Sequence, residues 1–319
     1  MKRVILTGAT GFIGANLARR LVTDGHEVWV FLRPGCSLWR IEDIRHDLRI
    51  VDLDLQDEAN VTAAVRQVQP DWIFNLAAHG AYPWQSDLRS MLATNVLGTV
   101  HLLEAAVATG FEAFVHTGTS SEYGVKDHSP SEVEWLEPNS HYAVTKASAT
   151  LFCRHTGQTT GLGVRTLRLY SVYGPWEEPT RLMPTLVMRG LVGELPSLVS
   201  PRTARDYIYV ADVVDACVAA AGTPDQEPGA VYNVGTGRQT SLREVVELVR
   251  AEMGIAVEPA WGTMAPRSWD TDVWVADTAL IQAQLGWQPR HDLRDGFRLL
   301  VGWLRDQHEI QEFYASFSR

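Results

Sequence analysis

The sequence predicts an α/β fold: a doubly wound parallel sheet with a smaller, interleaved α/β unit toward the C-terminus. Two observations predict it. Short apolar, strand-like runs alternate with amphipathic helical segments along the whole chain, and the first run breaks into a glycine-rich turn. No repeat or flexible linker divides the 319 residues, so the two units must interleave. We expect the first unit to comprise residues 1–170 and about 205–234, and the second to comprise residues 171–204 and 235–319.

The first strand, the apolar run at residues 4–6, leads into three glycines spaced G-x-x-G-x-x-G. Gly8 allows a tight turn out of the strand, Gly11 leaves room for the backbone to approach a pyrophosphate, and Gly14 lets the next helix pack closely. The start of that helix offers free N–H groups and the positive end of its dipole to phosphates. Because the glycines lie in a strand-to-helix switch, they indicate a dinucleotide site.

The ends of the second and third strands bear on the choice of cofactor. Arg33 follows the second strand, residues 25–32, at the place where an NAD site has a carboxylate for the ribose 2′-hydroxyl and an NADP site has an arginine. We therefore favour NADP(H) and keep NAD(H) as possible, the alternative being that Arg33 is a solvated loop residue. Asp54 lies at the end of the third strand, residues 51–55, and either meets the adenine amino group or belongs to an ordinary polar loop.

The fourth strand, residues 71–78, ends in the small-residue run Leu76-Ala77-Ala78. Small side chains at a strand end let the backbone lie against a cofactor. The other elements of this part of the chain are a helical segment at 61–68, an aromatic-bearing loop at 79–87 and a long helix at 88–109. The loop either covers a substrate or packs onto the fold.

Hydroxyl groups crowd the end of the fifth strand, residues 111–116, in the run Thr119-Ser120-Ser121. Ligands of open α/β sheets bind at the carboxyl ends of the strands. The sequence therefore places these hydroxyls at the edge where a substrate is expected.

Tyr142 and Lys146 lie four residues apart in a helix that begins near Ser140, so their side chains share one face. The chain has nine tyrosines and three lysines, and chance predicts only about 0.08 such pairs in 319 residues. An ammonium group beside a phenol lowers its pKa from about 10, and so does the positive ring of an oxidised nicotinamide. A tyrosine tuned in this way exchanges protons with an alcohol or a carbonyl near neutral pH.

The second half of the chain continues the alternation of strands and helices. Ser241 and Glu244 have the spacing of a capping box at a helix start. The predicted elements are strands at 164–169 and 231–234, a turn plus strand at 193–198, helices around 181–189, from the end of the run 202–213 to about 221, from 241 and at 293–309, and a tryptophan-rich loop at 261–277.

Composition excludes several classes of protein. The formal net charge of −10 and the lack of a basic cluster argue against nucleic acid or an anionic membrane as a partner. No stretch approaches the ~20 consecutive apolar residues of a membrane span. Cys36, Cys153 and Cys217 are too widely separated for a disulfide framework or a metal cluster. We expect a cytoplasmic protein with reduced thiols and no metal.

Taken together, the motifs resemble those of the extended short-chain dehydrogenase/reductase family, in its branch of nucleotide-sugar epimerases, dehydratases and 4-keto reductases. The resemblance covers nearly the whole chain. The motifs in its first half are TGATGFIG at 7–14, NLAA at 75–78, NVLGT at 95–99, TSSEYG at 119–124 and YAVTK at 142–146. The motifs in its second half are SVYGP at 171–175, RDYIYVADV at 205–213, YNVGTG at 232–237 and LGWQP at 285–289.

The resemblance implies a Rossmann-type sheet and assigns roles to individual residues. Thr119, Tyr142 and Lys146 would form the catalytic triad, with Tyr142 as the acid/base. The implied cofactor contacts, besides Tyr142, Lys146 and the residues named above, are Phe12, Ile13, Leu55 and Asn95. The implied contacts to a nucleotide-diphosphate sugar are Ser120, Ser121 and Ser171, together with Arg205 and Arg267 as clamps on the diphosphate.

Departures from the family pattern reduce the number of reactions that the resemblance allows. Dehydratases of the family follow the catalytic threonine with an acidic pair, whereas Ser120 and Ser121 stand here and Glu122 comes one position late. Ser171 replaces the usual asparagine. We favour NADPH-dependent reduction of a 4-keto nucleotide sugar because of Arg33. The alternative is a 4-epimerase with retained NAD, and a 4,6-dehydratase or a non-catalytic sensor is less favoured. Relatives pair two helices per subunit, so we expect a homodimer built on residues 88–109 and 142–156.

Overall fold

The computed structural model describes residues 1–224, 227–265 and 271–317. The strands are β1 Arg3–Thr7, β2 Glu27–Leu32, β3 Arg49–Asp52, β4 Trp72–Asn75, β5 Ala113–Thr119, β6 Val164–Leu169, β7 Ser171–Tyr173, β8 Ala204–Arg205, β9 Tyr207–Tyr209, β10 Val231–Val234 and β11 Thr240–Ser241. The α-helices are α1 Phe12–Thr23, α2 Glu58–Val68, α3 Leu88–Met91, α4 Gly98–Thr109, α5 His141–Thr160, α6 Leu182–Gly190, α7 Val210–Gly222, α8 Leu242–Met253, α9 Ala279–Leu285, α10 Leu293–Asp306 and α11 His308–Ala315.

Seven of the strands form one parallel sheet in the order β10-β6-β5-β4-β1-β2-β3. The order reverses between β1 and β4, which are neighbours although two other strands separate them in the chain. Such a switch point opens a crevice at the carboxyl ends of the strands. The predicted doubly wound, Rossmann-type sheet is confirmed, and it gathers the ends of β1, β4 and β5 at one edge.

Helices pack against apolar side chains on both faces of the sheet. Along β1, Val4 and Leu6 face a core shared with α1 and α7, while Ile5 faces a core shared with α2 and α4. Successive strand residues point to opposite faces, so a continuous apolar run is what a sheet covered on both faces requires. A third apolar core, which includes Leu186, Val246 and Phe297, joins α6, α8 and α10.

Two small strand pairs lie outside the main sheet. β7 pairs in parallel with β9, and β8 pairs antiparallel with β11. The capping box predicted at Ser241 and Glu244 is present at the start of α8. The division into units at residues 1–170, 171–204, 205–234 and 235–319 stays a prediction.

Two local predictions differ from the structure, and one helix was not predicted. Residues 193–198 have the predicted turn at Gly193, with a left-handed φ of 76°, but no strand beyond one bridge from Leu198, because Pro196 lacks the N–H that a ladder needs. The terminal helix breaks at Gln307, which lets α11 turn so that the Tyr314 hydroxyl donates to the Glu177 carbonyl at 2.5 Å. The short helix α9 was not predicted.

The helix spanning Leu88–Thr109 joins α3 to α4 through a π-helical segment, Leu92–Leu97. Among the described residues it is the one helix whose length and composition would allow it to cross a membrane, although the sequence analysis found no such stretch. About half of its most apolar window is buried inside the protein (44%), as in the core helix of a folded domain. Its buried side chains, among them Leu102 and Leu103, belong to the same core as Val61 of α2.

Candidate active site

The glycine-rich turn closes tightly on the end of β4. Gly8 has φ 72°, and a Cβ there would lie 2.7 Å from the Ala77 nitrogen. A Cβ on Gly14 would lie 2.1 Å from the Gly8 carbonyl oxygen, whereas one on Gly11 would lie 3.2 Å from the same atom. Two of the glycines are therefore required by packing within the protein, and Gly11 leaves the approach to the helix open.

The N-terminus of α1 suits a phosphate group. Gly11 is its N-cap, and no side chain caps the helix. Phe12 and Ile13 are half-buried and follow directly, so their amides lie in the first turn, where a helix has unsatisfied N–H groups. An uncapped helix start beside a cradle without side chains fits the pyrophosphate of a dinucleotide.

The ends of β2 and β3 place the other predicted cofactor residues at the same edge of the sheet. Arg33 is exposed and forms no ion pair within the described part of the chain. Asp54 is half-buried and accepts a hydrogen bond from the Gln56 amide at 3.0 Å, while Leu55 is buried. The small-residue run is partly exposed, with the Ala77 amide donating to Thr7 Oγ1 at 3.1 Å.

Asn95, an implied cofactor contact, has its side chain bound by hydrogen bonds within the protein. Its amide is buried and donates to the His79 carbonyl at 2.8 Å and to Thr145 Oγ1 at 2.9 Å, and its oxygen accepts from the His79 amide. The Thr145 hydroxyl in turn donates to the Tyr142 carbonyl. The Asn95 side chain therefore ties the loop after β4 to the helix that carries Tyr142.

The hydroxyl-rich end of β5 forms a capping box. Thr119 Oγ1 accepts from the Ser121 amide at 3.2 Å, and the Thr119 amide donates to Glu122 at 2.9 Å. Glu122 is fully buried and pairs with the Arg168 guanidinium at 2.8 Å, while Thr150 Oγ1 donates to its other oxygen. The Glu122 carboxylate is thus bound within the protein core.

Tyr142 and Lys146 lie in the first two turns of α5, whose N-cap Ser140 accepts from the Ala143 amide at 3.2 Å. Tyr142 is half-buried, whereas Lys146 is fully buried. Lys146 Nζ lies 3.4 Å from His116 Nε2, on the central strand β5. Lys146 therefore rests against the sheet in the protein chain alone.

The electrostatic environment of Tyr142 differs from the prediction. Burial raises the pKa of its phenol to about 12, with a further rise from Glu122 and Tyr82, and the Arg181 guanidinium opposes the rise. The prediction was a pKa lowered by Lys146 together with an oxidised nicotinamide, whereas in the chain alone the effect of burial outweighs that of the Arg181 guanidinium. Tyr142 is consequently a protonated phenol at neutral pH until further positive charge enters the site.

Sequence reasoning missed Arg181 and named Tyr82 only as part of the aromatic-bearing loop, although both side chains affect the pKa of Tyr142. Arg181 donates to the Ala81 carbonyl at 2.7 Å, and its guanidinium lies over the Tyr82 ring at 5.2 Å. Tyr82 also stacks on Trp84, with ring centroids 4.8 Å apart and planes 3° apart. The aromatic-bearing loop was predicted either to cover a substrate or to pack, and the only signal for Arg181 was its place before α6.

The second half of the chain brings further polar groups to the end of β5. Trp274 Nε1 donates to Ser120 Oγ at 3.1 Å, and the Arg205 guanidinium lies over the Trp274 ring at 5.2 Å. The half-buried Ser171 donates its amide to the carbonyl of Asp206 at 3.0 Å. The predicted diphosphate clamp Arg267 lies outside the described residues.

Asp206 is a buried residue that sequence reasoning did not single out, although it lies within the RDYIYVADV motif. Its carboxylate accepts from Thr236, from the Gly237 amide at 2.9 Å and from the Ala276 amide at 3.1 Å. Asp206, which follows Arg205 in the chain, thereby holds the loop after β10 and the segment containing Trp274 together.

The parallel sheet, the glycine cradle and the Tyr–Lys helix define a dinucleotide-dependent enzyme of the extended short-chain dehydrogenase/reductase class. The chain belongs to the NAD dependent epimerase/dehydratase family, whose model matches residues 4–235. It is 32% identical to a UDP-glucose 4-epimerase of Mycolicibacterium smegmatis over 96% of this chain and 100% of that protein.

Two further relatives show the breadth of the family. The chain is 33% identical to a dTDP-glucose 4,6-dehydratase of Streptomyces antibioticus, over 95% of this chain and 92% of that protein. It is 32% identical to MoeE5, crystallised with UDP-glucose and NAD, with a TM-score of 0.81 over 95% of this chain and 98% of that one. Both relatives align with nearly the whole chain.

Proposed function

We propose that the protein is a nucleotide-sugar 4-epimerase that acts on a UDP-hexose with retained NAD. The observation that carries the proposal is the set of acid/base groups near the end of β5: Thr119 ends that strand, Tyr142 lies in the first turn of α5, and the carboxylate of Glu122, three residues after Thr119, is bound to Arg168 in the core. Oxidation and reduction at C4 need one proton-transferring group. Elimination of water needs a second one.

The burial of Glu122 argues against a dehydratase. To act on a sugar, its carboxylate would have to leave Arg168, Thr150 and the Thr119 amide, and removing one partner from a buried pair costs about 3–5 kcal/mol. Ser120 and Ser121 stand at the acidic positions of family dehydratases and have no carboxylate to offer. The similarity to a dehydratase of Streptomyces antibioticus therefore supports the fold more than the reaction.

Each residue of the site has a distinct role in the proposed reaction. Tyr142 takes the proton from the C4 hydroxyl through its phenolate oxygen and returns it to the C4 oxygen after the ring has turned over. Thr119 Oγ1 hydrogen-bonds that oxygen, and Arg205 and Arg267 hold the diphosphate. NAD bound at the glycine cradle would supply reversible hydride transfer at C4. The same sugar-binding and acid/base groups serve both half-reactions.

A direct test incubates the purified protein with UDP-glucose or UDP-glucuronic acid and follows the 4-epimers by chromatography. MoeE5 binds both of these sugars with NAD, which is the reason for choosing them. We expect interconversion of the epimers without net change in NADH. Stoichiometric consumption of added NADPH with a 4-keto sugar, and no epimer formed, would contradict the epimerase proposal.

A second candidate function, NADPH-dependent reduction of a 4-keto nucleotide sugar, is favoured by Arg33. Its guanidinium is exposed at the end of β2 without an ion pair in the described structure, as a 2′-phosphate site requires. The preference for NADP(H) over NAD(H) stays a prediction. If it is correct, Arg33→Ala should weaken NADP(H) binding about tenfold, the loss of a charge-assisted contact, and leave NAD(H) binding unchanged. Unchanged NADP(H) affinity in equilibrium titrations would remove the argument for the reductase.

We further propose a homodimer that covers the apolar face of residues 88–109 and of α5. Leu97 is 51% exposed on the first helix, and Leu151 and Phe152 are 55% and 47% exposed on the second. Exposed apolar side chains clustered on adjacent helices mark an interface. We expect sedimentation velocity to show a dimer and Leu97→Glu to produce monomers, because a buried, unpaired carboxylate opposes association.

The control variant is Leu299→Glu, which changes an equally exposed leucine (47%) on α10. This variant should remain a dimer in sedimentation velocity, like the wild-type protein. A wild-type monomer at micromolar concentration would refute the dimer.

The three cysteines are free thiols, which supports the proposed cytoplasmic location because disulfides are rare in that compartment.

A further inference from the structure

His116 occupies the middle of β5 between two nitrogen-bearing side chains. Its imidazole is fully buried. Its Nδ1 lies 3.2 Å from Asn75 Nδ2, and its Nε2 lies 3.4 Å from Lys146 Nζ. A neutral imidazole donates from one nitrogen and accepts at the other, so it can accept from only one of these neighbours.

Hydrogen-bond direction around Asn75 decides which nitrogen accepts. The Thr99 hydroxyl donates to the Asn95 carbonyl at 2.8 Å, and its oxygen therefore accepts from Asn75 Nδ2 at 3.0 Å. On the other side, Thr7 Oγ1 accepts from the Ala77 amide and donates to Asn75 Oδ1 at 2.7 Å. Both contacts require the amide nitrogen of Asn75 to face Thr99 and His116.

The second N–H of Asn75 consequently points at His116 Nδ1, which must present a lone pair. Burial, and then the charge of Lys146, lower the pKa of His116 well below its ordinary value, so the ring is neutral and its hydrogen is on Nε2. That hydrogen faces Lys146 Nζ. A neutral amine can accept it, whereas an ammonium group can only oppose it with another N–H.

We propose that His116 is a positioning residue for Lys146: by presenting Nε2–H, it favours the neutral amine against β5 and turns the ammonium form away from the sheet, toward the cofactor cleft. The other groups that face Lys146 act in both directions. Burial lowers its pKa to about 8, while the Glu122 carboxylate and the Cys153 thiol raise it. Tyr142 lies one turn earlier on the same helix.

A lysine that exchanges its proton near neutral pH suits the proposed reaction. The oxidised nicotinamide carries a positive charge that the reduced ring lacks, and a neighbouring ammonium disfavours that charge. Loss of the Lys146 proton would relieve the repulsion. This role rests on the proposed function, whereas the contact between His116 and Lys146 can be tested without turnover.

The chain has only three lysines, Lys2, Lys126 and Lys146, so biosynthetic ¹³Cε-lysine labelling gives three resolvable signals. Lys2 pairs with Glu112, and the pairing of Lys126 with Glu137 raises the pKa of Lys126. In the full-length chain freed of nucleotide, we expect one signal, lost in Lys146→Met, to titrate at least one pH unit below the other two. A Lys146 midpoint equal to theirs would overturn the proposal.

His116→Gln supplies the second arm, because a glutamine carbonyl can turn toward Lys146 and accept from its ammonium. The Lys146 midpoint should rise by more than one pH unit. The matched control His26→Gln, at a half-buried histidine beside Lys2, should leave that midpoint unchanged. An unchanged midpoint in His116→Gln would mean that burial alone sets the titration and would overturn the role of His116.

The wild-type protein provides a third readout, in which His116→Gln serves only to assign the signal. Long-range ¹⁵N–¹H correlation of its ten histidines should show one ring with Nε2 protonated and Nδ1 bare throughout the pH range 6–9, assigned by its loss in His116→Gln. A proton on Nδ1 would mean that Lys146 donates to Nε2 as an ammonium. That result would refute the proposal independently of whether the protein is an epimerase.

Discussion

Tyr142→Phe is expected to reduce kcat by about 10²–10⁴-fold, the usual contribution of a positioned acid/base group. The substitution removes the hydroxyl that exchanges the C4 proton and keeps the ring, so the packing of α5 is preserved. Cofactor and sugar binding should stay within a few-fold of wild type, because Lys146, the glycine cradle and the arginines are untouched. The measurement is kcat from the rate of epimer formation, with equilibrium titration of NAD and UDP-glucose.

The control is Tyr232→Phe on β10, which deletes a hydroxyl that donates to Gln284 of α9 at 2.7 Å. It should retain full activity. Turnover above about a tenth of wild type in Tyr142→Phe would show that another group carries the proton, since general acid/base catalysis contributes at least ~10²-fold.

The raised pKa of Tyr142 predicts the direction in which the rate of each half-reaction changes with pH. With a pKa of about 12 in the chain alone, the phenol is protonated at neutral pH and ready to donate to a C4 carbonyl oxygen. Oxidation of the C4 hydroxyl needs the phenolate, so the rate of that half-reaction should rise with pH until the phenol, at the pKa it has with cofactor bound, is ionised. Arg181 is the positive side chain of this protein that favours the phenolate.

The features that sequence predicted well are local in the chain. The glycine turn follows from spacing over seven residues and the Tyr142–Lys146 pair from one helical turn, so periodicity alone brings their parts together. The seven parallel strands were also predictable. Their continuous apolar runs are what burial on both faces of the sheet produces.

The features that sequence did not predict depend on contacts between distant parts of the chain. Arg181 donates to the carbonyl of Ala81, one hundred residues away, and His116 meets Lys146 across thirty residues. No pattern within one segment encodes such contacts. The orientation of the Glu122 side chain toward the core could not be predicted either, because its partner Arg168 lies on the adjacent strand β6.

Gly14→Ala is expected to weaken NAD binding by more than tenfold and to destabilise the fold by about 1–3 kcal/mol, the usual cost of overpacking. The added Cβ would lie 2.1 Å from the Gly8 carbonyl oxygen, so α1 must move away from the turn that it packs against. Displacing the helix start moves the Phe12 and Ile13 amides away from the pyrophosphate. Isothermal titration and urea unfolding measure the two effects.

Gly302→Ala on α10 is the matched control, because nothing lies within 4 Å of the Cβ that it would add. A mid-helix glycine costs about 0.5–1 kcal/mol relative to alanine, so this variant should be slightly more stable than wild type and bind NAD equally well. Equal NAD affinity in Gly14→Ala and wild type would contradict the cradle. The cofactor would then have to bind without the start of α1, and the packing of Gly14 against Gly8 would serve the fold alone.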